Sequence, residues 1–114
     1  MVIMLVQNNK KELRKLMSCV SAVCPRDLIV GFDDADNAIS YAENRRVDMC
    51  FADAMLDNSS GIALTRELRD LNENVCVNLL ADDKEFAVDA WQHHINNYLI
   101  KPVTKAEVRD SIIV

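Results

Sequence analysis

Glycine is scarce in this chain, with two residues in 114, Gly31 and Gly61. A loop that cradles phosphate through backbone amides needs Gly, Ser or Thr directly after a strand. The segment after the first apolar run, Gln7-Asn8-Asn9-Lys10-Lys11, contains none of them, which argues against a small flavin- or nucleotide-binding protein. Long apolar runs are also missing. The runs present are short, such as Val2–Val6, far below the roughly 20 residues that cross a bilayer, and Lys10 and Lys11 follow that run instead of preceding it. Neither a signal peptide nor a membrane anchor is expected, and the chain reads as cytosolic. Nor is there an excess of base: the net charge is −5 and the Lys and Arg residues are scattered among more numerous acids. Nucleic-acid binding draws most of its affinity from Lys and Arg neutralising phosphates, so none is expected from this domain alone. Of the four cysteines, Cys19, Cys24, Cys50 and Cys76, no pair has metal-ligand spacing. Cys50 and Cys76 sit inside apolar runs, and all four read as small hydrophobes.

What the chain does have is alternation. Half of its residues are hydrophobic, and 114 residues suffice for one core without disulfides or a structural metal. Five short apolar runs, Val2–Val6, Leu28–Phe32, Met49–Ala52, Val75–Leu80 and Tyr98–Ile100, read as strands. The first is apolar throughout, as in a parallel strand covered on both faces. Amphipathic stretches lie between them. Leu13, Leu16, Met17, Val20 and Val23 recur at helical spacing before Pro25 ends the segment. Ala38, Tyr41 and Ala42 mark a second helix, and Leu64, Leu68 and Leu71 a third. Phe86, Ala87, Ala90 and Trp91 mark a fourth. Thr104-Lys105-Ala106-Glu107 is a capping-box pattern that opens the fifth.

Five strand–helix repeats predict an α/β fold: a single doubly wound (βα)5 domain over residues 1–114, flavodoxin-like, with a parallel five-stranded sheet of order 2-1-3-4-5. The switch point of that order lies between the first and third strands. Ligand chemistry should therefore gather at the carboxyl ends of those strands, at Gln7-Asn8-Asn9 and Asp53. There is no internal repeat, low-complexity segment or linker. The apolar end, Ile112-Ile113-Val114, suggests a module of a longer protein.

Asp53 follows an apolar run directly, and Gly61-Ile62-Ala63-Leu64 begins eight residues later. Lys101-Pro102 follows the fifth run, with Tyr98 three residues before the lysine. Phe32-Asp33-Asp34 follows the second run, and Ala38 stands in the helix after it. Taken together, from Val2 to about Ile112, these residues resemble the response regulator receiver domains of bacterial two-component systems. The wording around Phe86–Trp91 and Tyr98–Val103 is most similar to receivers joined to LytTR-type DNA-binding domains. The resemblance implies that Asp53 is the phospho-acceptor and that Lys101 neutralises a phosphoryl oxygen. It also implies Mg²⁺ held by an acidic pair after the first strand, by Asp53 and by the Met55 carbonyl. A hydroxyl residue ending the fourth strand and the aromatic Tyr98 would form the switch.

Three departures weaken that expectation. The acidic pair falls on Gln7 and Asn8, neutral amides. The hydroxyl position is Leu80, which cannot hydrogen-bond a phosphoryl oxygen. Asp57 stands where a proline is usual. Mg²⁺ is commonly held by one or two carboxylates plus substrate phosphates, so only weak Mg²⁺ binding and slow or absent phosphorylation are expected. Two readings follow: a receiver that relays phosphate through Asp53, and a phosphorylation-independent interaction module of the same fold. Either acts by protein–protein contact and not by turnover. The implied partners are a histidine kinase, a second copy meeting through the face of the fourth helix, fifth strand and fifth helix, and an attached DNA-binding output domain. Trp91 and Tyr98 belong to that face, where an exposed Trp91 would be an anchor.

Plainer readings compete with each assignment. Asp53 and Lys101 can be a structural ion pair, with a gross attraction of roughly 4 kcal/mol at about 4 Å before desolvation. Asp82 and Asp83 are more simply the acidic start of the fourth helix than displaced metal ligands. Adjacent His93 and His94 point to different sides of a helix end and make a poor metal pair.

Overall fold

The computed structural model describes residues 1–112. The elements in chain order are β1 (Val2–Val6), α1 (Lys10–Val23), β2 (Leu28–Phe32), α2 (Ala35–Asn44), β3 (Met49–Asp53), β4 (Met55–Leu56), β5 (Ser59–Ser60), α3 (Gly61–Leu71), β6 (Cys76–Ala81), α4 (Ala87–Gln92), β7 (Asn97–Ile100) and α5 (Lys105–Ile112). The main sheet has the order β2-β1-β3-β6-β7, parallel throughout. This is the 2-1-3-4-5 order expected from the five apolar runs.

The two faces of the sheet explain the composition of the strands. Side chains alternate across a strand, so in β1 Ile3 and Leu5 join one core with Leu16, Val20, Phe51 and Val108. Met4 and Val6 join the other, with Cys50, Ala52, Leu64, Leu68 and Val77. A strand buried on both faces has no need of polar residues, which is why β1 and β3 read as continuous apolar runs. Cys50 lies in the second core, and burial pushes its thiol up to about 12. Burial raises the other three thiols as well, in keeping with cysteines that serve as packing groups.

Local chemistry sets the helix starts. Asn9, Asp34 and Ser60 each accept a backbone N–H of the first turn, at Glu12, Asn37 and Ala63. The Thr104–Glu107 box forms as expected. The Glu107 N–H donates to Thr104 Oγ1 at 3.1 Å, and the Thr104 N–H donates to Glu107 Oε1 at 3.2 Å.

Two expectations need correction. Asp82 and Asp83 do not start the fourth helix: α4 begins at Ala87 after Phe86, with no side-chain cap. Asp83 instead accepts the Glu85 N–H and stabilises a turn ahead of the helix. The fourth strand runs from Cys76 to Ala81, one residue later than the apolar run, because the Val75 N–H is spent on the Asn72 carbonyl. The small β4–β5 hairpin was not foreseen. Asp57 and Asn58 form its tip, with Asn58 left-handed at φ 60°, a conformation that asparagine tolerates better than most residues. Of the apolar end, Ile112 packs half-buried on the α1–α5 side, whereas Ile113 and Val114 lie outside the described residues.

Candidate functional site

The carboxyl ends of β1 and β3 meet at the switch point, where Asp53 is held with 5% of its surface exposed. Each of its oxygens already has a donor. Oδ1 accepts the Met55 N–H at 3.0 Å, while Oδ2 accepts both Lys101 Nζ and Gln7 Nε2, each at 2.6 Å. Lys101 comes from the turn after β7, across a cis Lys101–Pro102 bond. Gln7 comes from the end of β1 and is also buried. Two of the residues picked out in the sequence, Gln7 and Lys101, therefore meet on a third, Asp53.

Lys101 faces more than one carboxylate, with Asp82 at 3.5 Å and Glu12 at 3.8 Å. Burial by itself pulls its ammonium pKa down. The hydrogen bond and charge of Asp53, joined by Glu12 and Asp82, outweigh that and hold it above the ordinary lysine value. Glu12 was missed in the sequence. The Asn9 cap that places it in the first turn of α1 is the signal that could have found it.

Asn8, the second acidic-pair position, does not touch Asp53. Its Nδ2 donates to the Asp33 carbonyl at 2.7 Å and its Oδ1 accepts the Asp57 N–H at 2.5 Å. Gln7 Oε1 accepts the Asn9 N–H at 3.2 Å. Both amides are thus engaged on both ends with protein groups. Among the described residues, no group of three or more His, Cys, Asp or Glu side chains is placed to hold a metal ion.

Leu80 lies beside Asp53 in the β3–β6 register and is buried. With Leu16, Pro102 and Val103 it gives an apolar lining to a cleft of about 400 Å³ that also reaches Gln7 and Lys101. Tyr98 is turned toward the β6–α4 loop. Its hydroxyl donates to the Asp83 carbonyl at 2.7 Å and accepts the Phe86 N–H at 3.3 Å. Burial raises its phenol pKa, the Phe86 bond lowers it, and the Asp83 and Glu85 charges raise it, leaving it above the ordinary value. Met55 is exposed on the hairpin. Gly61 has a steric role: a Cβ there would sit 2.4 Å from Leu79 Cδ1 and 2.5 Å from the Asp53 carbonyl oxygen. Only glycine lets α3 start so close to the strand that carries Asp53.

Residues 3–113 match the family model described as "Response regulator receiver domain". The chain belongs to the response regulator receiver family. Among curated proteins the receiver is 28% identical over 75 residues to the transcriptional regulatory protein HptR of Staphylococcus aureus, covering 66% of this chain and 30% of that one. It is 26% identical over 98 residues to the transcriptional regulatory protein NatR of Bacillus subtilis, covering 86% and 42%. The matched stretches are thus less than half the length of those relatives. Among solved structures, a receiver domain protein from Clostridium thermocellum superposes with a TM-score of 0.86 at 19% identity, over 97% of this chain and 90% of that one. The receiver domain of a sensor histidine kinase from Pseudomonas aeruginosa, described with magnesium in its active site cleft, gives 0.82 at 24% identity, over 96% and 91%. These two likenesses bear on the fold.

His93 and His94 lie at and just beyond the end of α4. Their carbonyls accept the Arg69 guanidinium, which also reaches Asn96 Oδ1 at 3.1 Å. Arg69 from α3 thereby satisfies the carbonyl end of α4, a contact between distant segments that no local pattern announces. Trp91 and Val88 point outward from α4, 76% and 66% exposed.

Proposed function

We propose that this receiver signals by protein–protein contact, with Asp53 held as a structural ion and not used as a phospho-acceptor. The observation that carries the reading is the Gln7 amide N–H group at 2.6 Å from Asp53 Oδ2, the oxygen already bound by Lys101. A carboxylate must offer a free lone pair to attack phosphorus, and the charge spread over the transferring group must be neutralised. Here three protein donors occupy most of the roughly four acceptor sites of the carboxylate, with both on Oδ2 taken, and the acidic pair that would bring a cation is neutral.

The donor set fits Mg²⁺ poorly. Asp53 is the single carboxylate at the expected ligand positions, and the oxygens of Gln7 and Asn8 are spent on backbone N–H groups. Octahedral Mg²⁺ demands oxygen ligands in near-ideal geometry, so binding is expected to be weak. Leu80, with no hydroxyl to offer a phosphoryl group, supports the same reading, as does Tyr98 bonded into the β6–α4 loop.

A second reading keeps Asp53 as a relay residue. It is favoured by Asp53 ending β3 with Lys101 Nζ at 2.6 Å, the pairing that phosphoryl transfer to a receiver would use. Intact mass after incubation with acetyl phosphate and Mg²⁺, beside Asp53→Ala, separates the two. No adduct at any Mg²⁺ concentration is expected. An adduct in the wild type that vanishes in the variant would overturn the first reading in favour of the second.

The relatives, which are transcriptional regulatory proteins, support a setting in gene regulation. We place this receiver in the cytoplasm, without turnover of its own, working with an attached DNA-binding output domain, a histidine kinase or a second copy of itself. Trp91 and Val88, exposed on α4, and Ile100 at the edge strand β7 supply the apolar surface for self-association.

A further inference from the structure

We infer that Asn8 and Gln7 replace a cation structurally, fastening the carboxyl face of the sheet by hydrogen bonds so that its order is independent of metal. The inference goes beyond the proposed function, which concerns what Asp53 does chemically. It rests on where the bonds of the two amides end. Asn8 donates to the Asp33 carbonyl in the β2–α2 turn and accepts the Asp57 N–H at the tip of the β4–β5 hairpin. One side chain thus joins its own β1–α1 loop to two others, 25 and 49 residues away in sequence. Gln7 spans from the Asn9 N–H, which leads into α1, to Asp53 at the end of β3.

Charge explains why amides suit this place. Asp33, Asp34, Asp53, Asp57, Asp82 and Asp83 all lie at the carboxyl end of the sheet, after β2, at or after β3, and after β6. Lys101 reaches two of them and Lys10 a third. Two further carboxylates at positions 7 and 8 would add repulsion that needs a bound cation to offset it. An amide instead carries both a donor and an acceptor. Asn8 uses one for a carbonyl and the other for an N–H, and no carboxylate can do both. Asp57, at the usual proline position, contributes through its backbone: it brings the N–H that Asn8 accepts, which proline lacks.

Hydrogen–deuterium exchange tests the inference on the intact chain. In the wild type, exchange across residues 7–10, 33–36 and 54–60 should be the same in EDTA and in millimolar Mg²⁺. Slower exchange on adding Mg²⁺ would overturn the proposal, and that arm requires no variant. Asn8→Ala should speed exchange on the order of tenfold at both the Asp33 turn and the hairpin, as two hydrogen bonds are lost together. A change at only one of these loops, or at neither, would count against it. Asn8→Asp should loosen both loops in EDTA and recover protection when Mg²⁺ is added. A merely local packing role for Asn8 predicts no such metal-dependent recovery. A phosphoryl adduct in the mass experiment would remove the proposed function and leave this result untouched, so the two can fail separately.

Discussion

At the scale of single residues, the informative asymmetry lies within the Asp53–Lys101 pair. Removing the ammonium strands a carboxylate that is almost wholly buried, whereas Lys101 keeps Glu12 and Asp82 if Asp53 is neutralised. Lys101→Met should therefore cost about 3 kcal/mol and Asp53→Asn about 1 kcal/mol, measured by urea unfolding. Because the pKa of Lys101 is raised in the folded state, its contribution is complete below the unfolded value of about 10.4 and declines as pH climbs through the folded one. The stability gap between wild type and Lys101→Met should stay flat from neutral pH to about 10 and narrow above that. A gap that already narrows between pH 7 and 9 would mean another group carries it. The sequence marked Gln7 and Asp53 as neighbours, since strand ends at a switch point converge whatever their side chains, and the family resemblance added Lys101 to them. It did not reveal that Gln7 would point its N–H group at Asp53, because amide orientation depends on the Asn9 N–H competing for the other end.

Among the elements, strands and most helices were legible because each carries its own period and cap. The apolar alternation gave all five strands of the sheet, and the Thr104–Glu107 box gave the start of α5. The β4–β5 hairpin escaped notice because two-residue strands are too short to show a period. The start of α4 was misplaced for a different reason. Paired acids ordinarily favour a helix start, but here Asp83 bonds into a turn and the Tyr98 hydroxyl holds the loop at Phe86. Only six residues long, α4 leans on Arg69 for its carbonyl end. Arg69→Ala should lower stability by about 1–2 kcal/mol, the scale of charge-assisted hydrogen bonds at a partly exposed site. Exchange should quicken in α4 before it quickens in α3, and a uniform change across both helices would contradict a capping role.

For the whole molecule, stability and association should respond separately. The Trp91 side chain is mostly in water, so Trp91→Ala should leave the thermal midpoint nearly unchanged. If the α4–β7–α5 face mediates self-association, the same change should weaken it by about 2 kcal/mol, as expected of a central aromatic anchor. Sedimentation velocity of wild type and variant would measure this, and equal sedimentation coefficients at every concentration would move the contact elsewhere. That this face would carry partner contacts was implied by the family resemblance. That Trp91 stands out on it could not be read from helical spacing, since a tryptophan one turn from Ala87 packs inward as readily as outward.

The Asp53–Lys101 bond joins residues 48 positions apart, and this has a bearing on how the chain is made. Synthesis delivers β1, β2, β3 and β6 before the residue that neutralises Asp53. Until the turn after β7 clears the ribosome, the middle of the sheet would have to bury a carboxylate without its counter-charge, at a cost of several kcal/mol. A chain that ends just before Lys101 keeps β7 but lacks both this counter-charge and α5, so its weakness is expected at the middle of the sheet, where Asp53 lies, and not only at the truncated end.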